Sequence, residues 1–520
     1  MGERAGAVIP ERMPVEVYLG LDIGTQGVRA VVCAVWDDAG PRSAILARAA
    51  QPFPAGTVVT DLPPGHAEQH PAGWWAAVVA CLRQVATQTP LDAIRALSVT
   101  STSGTLCLLD DAGDPLVPAL MYNDGRSGQE ALEVQAAGSE LAARLGYRFN
   151  ASFALAKLLW LARHRPDVLA RVRYIAHAAD TITGRLSGRY DVTDYSNALK
   201  TGYDLAPVSG DRPAGCWPDF IGAALGLPVD RLPQVVAPGT VIGEVTPAAA
   251  AAEMTGLRAG TLVVAGMTDG CAAQIASGAV SPGDWNSTLG TTLVLKGVTA
   301  QLIRDPQGRI YSHRHPDGYW LPGGASNVGG EILATRFPGA DLVSLDAQAT
   351  QLSPTDLIVY PLARRGERFP FVRADAEGFL VPFGLGRATS AGDPAVLYAA
   401  YLEGVAYVER LAYETLAGLG ATVAGAIRVA GGAAASDVWL QIRADVLGRK
   451  LVRPAETGAA MGAAILAAAG ASRARFDSLA AAARTMVRIE RVVTPRSSLA
   501  ASYDERYRRF CAACAERGYI

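Results

Sequence analysis

The chain has 520 residues, 50% hydrophobic and 18% charged, a balance that allows roughly two to four domains with large cores and excludes wholesale disorder. The formal net charge is −2 and the basic residues are scattered, which excludes a nucleic-acid footprint. Seven cysteines, an odd and sparse set, argue for reduced thiols rather than a disulfide framework.

The first residues, MGERAGAVIPERMP, have no apolar core of signal-peptide length, and residues 1–15 read as a flexible lead. No window holds about 18 uncharged apolar residues, so the expectation is a soluble cytoplasmic protein without a membrane partner.

From Glu16 to Gly40 the alternation of Val17, Leu19 and Leu21, followed by the apolar run Val28–Trp36, predicts two strands joined by the turn Gly24–Thr25–Gln26–Gly27. Asp22 ends the first strand, and a lone acid there is costly to bury without a partner. The turn offers backbone amides, a hydroxyl and an amide, with Arg29 close behind. An acid for a metal beside a loop of amides for phosphate suits a nucleotide site. A tight hairpin capped by its own Asp is the plainer alternative.

A Pro/Gly-rich loop, Pro52–His70, precedes a helix opening near Pro71, whose Trp74, Trp75, Val78, Val79 and Leu82 recur at helical spacing. The strand Ile94–Thr100 runs into the loop Ser101–Thr105 (STSGT). An amphipathic helix is expected around Leu155–Arg163. The segment Asp191–Tyr203 (DVTDYSNALKTGY) has no clear period and reads as a loop, either sugar-lining or merely exposed.

From Thr261, LVVAGMTDG is a short buried strand running to Asp269 and a helix, Gly270–Ser277. Asp269 there suits either a catalytic carboxylate or a helix N-cap. NSTLGTTLVLKGV (Asn286–Val298) repeats the opening pattern of strand, glycine turn and strand, a hint of internal duplication. Asp393–Pro394 opens a long helix. The strand Ala426–Ala430 runs into Gly431–Gly432, then a helix Val438–Leu447, a strand Lys450–Arg453 and an Ala-rich helix from Ala459. In the last helix, Ser502–Arg517, Cys511 and Cys514 have no second pair nearby, so two thiols on one helix fit better than zinc.

DIGTQGVR (Asp22–Arg29), GMTDGCAA (Gly266–Ala273), STLGTT (Ser287–Thr292), AGGAAASDVWLQIRADVLG (Ala430–Gly448) and GAAMGAAILA (Gly458–Ala467) together resemble the FGGY family of carbohydrate kinases. STSGT, MYNDGRS, DYSNALKTGY and YPLARRGERFP look like the xylulokinase-like subgroup whose members are D-ribulose kinases. Ser101–Gly104 (STSG) stands where true xylulokinases carry Q-M-H-G.

The resemblance implies an α/β actin-like ATPase fold, two RNase-H-like domains facing each other across a cleft. The expected divisions are 15–277 for sugar, 278–475 for ATP, and 476–520 as a helical segment packing back on the first domain. It implies Asp269 as the catalytic base, Asp22, Ser103 and Asp269 at the sugar, and Asp22 on magnesium, through water. Thr25, Gln26, Gly290, Thr291 and Thr292 would meet the phosphates of ATP. Gly431, Gly432, Ser436 and Trp439 would meet its nucleoside, although Trp439 suits a core equally. A serine in a tight turn and a helix N-cap stay open for Ser103 and Asp269. The expected activity is ATP- and Mg2+-dependent phosphorylation of D-ribulose. D-xylulose, L-ribulose and glycerol are alternative acceptors, and an actin/Hsp70-like ATPase or a sugar-binding pseudokinase are alternative classes. A homodimer is left open.

Overall fold

The computed structural model describes residues 14–38, 40–206, 215–383 and 392–520; most of the expected N-terminal lead, residues 1–13, lies outside them. The chain forms two compact units. The first runs to Gly278 and includes His313–Gly318 and Gly458–Val487; the second comprises Ala279–Ser312, Tyr319–Thr457 and Arg488–Ile520.

The first unit is built on a six-stranded sheet. β1 (Glu16–Ile23) pairs antiparallel with β2 (Gly27–Asp37), and β2 with β3 (Pro41–Pro52). On its other side β1 runs parallel to β4 (Ile94–Ser101). β5 (Val241–Glu244) and β6 (Leu262–Val264) complete the order β5-β6-β4-β1-β2-β3. β1 is buried from Val17 to Ile23 because both faces are covered: Leu19 and Leu21 share one core with Trp74, Val78 and Leu82 of the helix Pro71–Ala86. The Ala-rich helix Ala459–Ala471 also packs on β1. A Cβ on Gly20 would stand 1.9 Å from Ala460 O, so only glycine lets strand and helix approach this closely.

The second unit repeats the plan. β7 (Trp285–Leu289) pairs antiparallel with β8 (Leu293–Gly297) and parallel with β11 (Ile427–Ala430). With β9 (Ile310–Arg314), β10 (Trp320–Ala325), β12 (Leu451–Pro454) and β13 (Ile489–Val493) the order is β9-β10-β8-β7-β11-β12-β13. Its core is crossed by the helix Pro394–Gly418, started by Pro394 and by Asp393, whose Oδ1 accepts from Ala395 N at 2.8 Å.

Two expectations are corrected. The Ala-rich segment belongs to the first unit, because its small residues fit against β1, while the terminal helix Ala500–Glu516 belongs to the second. Tyr503, Tyr507 and Phe510 form its buried stripe, with Phe510 stacked on Tyr360 at 5.8 Å. The segment 191–203 is not a loop: it holds a strand, Val192–Asp194, and a helix, Tyr195–Ala198. Asp194 caps that helix, accepting from Ser196 N and Asn197 N, a local bond that periodicity does not reveal. Among the described residues no helix is long and apolar enough to cross a membrane.

Candidate active site

A cavity of about 390 Å3 in the first unit is lined by Asp22, the turn Gly24–Arg29, Ala50–Pro52 and Asp269. β1 delivers Asp22 one residue before its end, paired with Arg29 on β2 and with Thr100 on β4. Backbone and side-chain bonds hold the turn. Gly24 N donates to Gly27 O at 2.9 Å. Gln69 Nε2 donates to Thr25 O at 2.9 Å, and Gln69 is itself fixed by Trp74 Nε1 at 2.7 Å. The side chains of Thr25 and Gln26 are left exposed.

Asp269 comes off the same end of the sheet, after β6, which runs parallel to β4 as β1 does. β6 leads through Ala265–Thr268 into the helix Asp269–Ala276, with Thr268 as N-cap and Asp269 first in the helix. The chain can turn there because a Cβ on Gly266 would stand 1.8 Å from Val99 O, and the helix sits where a Cβ on Gly462 would stand 1.9 Å from Ala272 O. Asp269 Oδ1 accepts from Gly270 N at 2.7 Å. Asp269 is therefore not the cap, and its carboxylate sits at the positive end of the helix.

The two acids differ in environment. Asp22 is 4% exposed, its Oδ1 has no hydrogen-bond partner, and its Oδ2 lies 3.5 Å from the largely exposed Arg29. Burial, and after it the charge of Asp269, push the Asp22 carboxyl up to about 7, against the pull of Arg29. A cation beside Asp22 would offset the cost of ionising it there.

A second cavity, about 970 Å3, lies within the second unit. Gly290 and Thr291 line it from the turn after β7, and Gly432, Ser436 and Trp439 from the segment after β11. Phe337, Leu342, Val343 and Tyr398 make it largely apolar. Asp346 sits in its wall, accepting from Tyr398 OH at 2.8 Å and Ser436 Oγ at 2.7 Å. Ser436 is the N-cap of the helix Asp437–Leu447, accepting from Trp439 N. Trp439 is 4% exposed and donates through Nε1 to Leu402 O, so it is core with one edge at the cavity. Gly431 lines neither cavity, but at φ 88°, with a Cβ position 2.4 Å from Leu289 O, it makes the bend that leads to Gly432. Thr292 lines neither cavity; its carbonyl closes the turn by accepting from Gly290 N at 3.1 Å.

Ser103 also lines neither cavity; its Oγ is buried without a hydrogen-bond partner. Sequence reasoning did not single out Gln69, Phe337, Asp346 or Tyr398. Gln69 stands in a Pro/Gly-rich stretch, Phe337 directly follows the helix Glu331–Arg336, and Asp346 and Tyr398 lie on helices whose apolar period carries no sign of a ligand.

The N-terminal domain model of the FGGY family of carbohydrate kinases matches residues 17–276, and the C-terminal domain model matches 285–471. The chain therefore belongs to the FGGY family of carbohydrate kinases, ATP-dependent phosphotransferases with the two-domain actin-like fold. It is 27% identical over 460 residues to the xylulose kinase of Escherichia coli K12, covering 87% of this chain and 89% of that one. It is 26% identical over 472 residues to the gluconokinase of Bacillus subtilis 168, covering 86% of each. The solved xylulose kinase of Rhodospirillum rubrum superposes with a TM-score of 0.79 at 29% identity, covering 96% of this chain and 99% of that one. These relatives are named for xylulose and gluconate, and none of them carries the ribulose reading of the sequence.

Proposed function

We propose that the protein transfers the γ-phosphoryl group of ATP to a hydroxyl of a free ketopentose, with Asp269 as the general base. The observation that carries this reading is the pair Asp22 and Asp269 in one cavity with the turn Gly24–Gly27. Phosphoryl transfer asks for positioning and charge neutralisation rather than a covalent intermediate. The sugar hydroxyl attacks the γ-phosphorus as Asp269 takes its proton, a new O–P bond forms, the bond to the bridging oxygen breaks, and ADP leaves. Thr25 and Gln26 meet the transferred phosphate. Gly290, Thr291 and Thr292 meet the phosphates from the second unit, and Gly431, Gly432, Ser436 and Trp439 form the nucleoside side.

The residues fit a divalent cation, Mg2+ in this reading: Asp22 Oδ1 is buried without a partner, and Asp22 shares its cavity with a second carboxylate. Among the described residues no cluster of three or more His, Cys, Asp or Glu forms a metal cage, and Mg2+ needs none, since it takes one or two carboxylates and substrate phosphates. When bound, the cation neutralises charge on the phosphates.

The relatives favour D-xylulose as the acceptor. One feature favours D-ribulose instead: Ser103, whose small side chain stands where xylulokinases place histidine. A coupled ADP-release assay with Mg-ATP and a panel of D-xylulose, D-ribulose, L-ribulose, D-gluconate, glycerol and no sugar tests both. A rate with one ketopentose only supports the reading and names the acceptor. Equal rates with and without sugar overturn it. Sedimentation tests whether the protein is a homodimer.

A further inference from the structure

The segment 191–203 lines neither cavity, yet it holds a buried polar network. Asp194 is 3% exposed and has no cation within ion-pair distance among the described residues; Ser196 N, Ser196 Oγ, Asn197 N and Asn197 Nδ2 all donate to it, at 2.5 to 3.1 Å. With its proton committed to Asp194, Ser196 Oγ is left as an acceptor, and Thr268 N donates to it at 2.9 Å. On the other side of the same peptide unit, Thr100 Oγ1 donates to Met267 O at 2.7 Å. One peptide plane, Met267–Thr268, is thus held at its carbonyl by one side-chain hydroxyl and at its N–H by another. The next residue is Asp269. Thr100 is also the register partner of Asp22 across β1 and β4. The clamp therefore ties the chain that aims one carboxylate to the strand that flanks the other.

We propose that Thr100 and Ser196, the latter oriented by Asp194, are positioning residues that fix Asp269 relative to Asp22. A hydroxyl pair suits this task. Each bond is short and directional, both groups are buried, and neither adds charge beside two acids. The DYSN stretch is then an inner brace for the base rather than a sugar-lining loop. This inference rests on the proposed role of Asp269.

The test uses steady-state kinetics on the full chain, with the preferred sugar from the panel. Ser196→Ala and the isosteric Thr100→Val are each expected to lower kcat by about 10- to 100-fold, the scale of a small misplacement of a reacting group. KM for ATP should stay within about twofold, and Ser196→Thr and Thr100→Ser should restore most of the rate. In the Asp269→Asn background neither substitution should lower the residual rate further, because a positioning residue acts only through the group it positions. Two results overturn the proposal: folded variants that keep the parental kcat while losing thermal stability, or losses that multiply with that of Asp269→Asn. A fully active Asp269→Asn enzyme instead sinks the role given to the base, and it does so independently of the clamp. Should Ser196→Ala fail to fold, Thr100→Val decides alone, since it changes no volume.

Discussion

The turn after β1 and the turn after β7 occupy matching places in their units and are supplied with charge in opposite ways. In each, a buried strand ends in a glycine turn, returns antiparallel, and lies parallel to a third strand on its other side. Two residues before the glycine stands Asp22 in the first unit and Thr288 in the second. The first unit brings a carboxylate to its cavity and meets it there with Asp269. The second has no acid at that position and ties its strand to a buried ion pair: Ser287 donates to Glu409 Oε1 at 2.5 Å, and Glu409 pairs with Arg443 at 2.7 Å, all three fully buried. Proton abstraction needs an anion within reach of the substrate. Topology alone does not distinguish the two turns; the residue two before the glycine does.

The largest expected effect removes the proposed base from the first unit's cavity. Asp269→Ala should lower kcat roughly 10²- to 10⁴-fold and leave ATP affinity, measured by calorimetry, near the parental value. A variant that turns over normally would erase the contrast. Next, Glu409→Gln leaves the Arg443 guanidinium buried without its counter-ion. Breaking one side of such a pair costs about 3–5 kcal/mol, so a clear drop in chemical stability is expected; an unchanged denaturation midpoint would show that the pair does not hold β7 in place.

Glycine substitutions sharpen the comparison at smaller scale. Gly431→Ala forces a side chain to φ 88° with a backbone oxygen 2.4 Å away, a strain of about 1–3 kcal/mol. Gly24→Ala meets nothing closer than 3.4 Å and should change stability by less than about 0.5 kcal/mol. Paired thermal melts of the two variants decide whether the second unit's bend is the more constrained.

The smallest effect is on pH dependence. Glu403, fully buried in the second unit with Thr355 N and Oγ1 donating to it, is pushed by burial from 4.5 up to about 7. The folded state then holds this proton more tightly than the unfolded chain between those values. The group's contribution is complete below about 4.5 and is lost as pH rises toward about 7. Glu403→Gln should flatten the fall in Tm across that window, and parallel Tm curves for parent and variant would refute it.

The sequence by itself determined the elements and the family. Val17, Leu19 and Leu21 alternate into a strand whatever surrounds them, Asp393–Pro394 starts a helix by local chemistry, and the motif set around Asp22, Asp269 and Gly431 is specific through its order along the chain. Tertiary structure decided which unit each late helix joins: Ala459–Ala471 is apolar and buried nearly all round, Ala500–Glu516 is charged with one buried stripe, and neither pattern names the sheet it packs on. It also decided that Asp194, Ser196 and Thr100 converge on the peptide before Asp269. Those residues are distant in sequence, each has an ordinary local reason to be where it is, and a hydrogen bond between distant residues leaves no period for a linear reading to find.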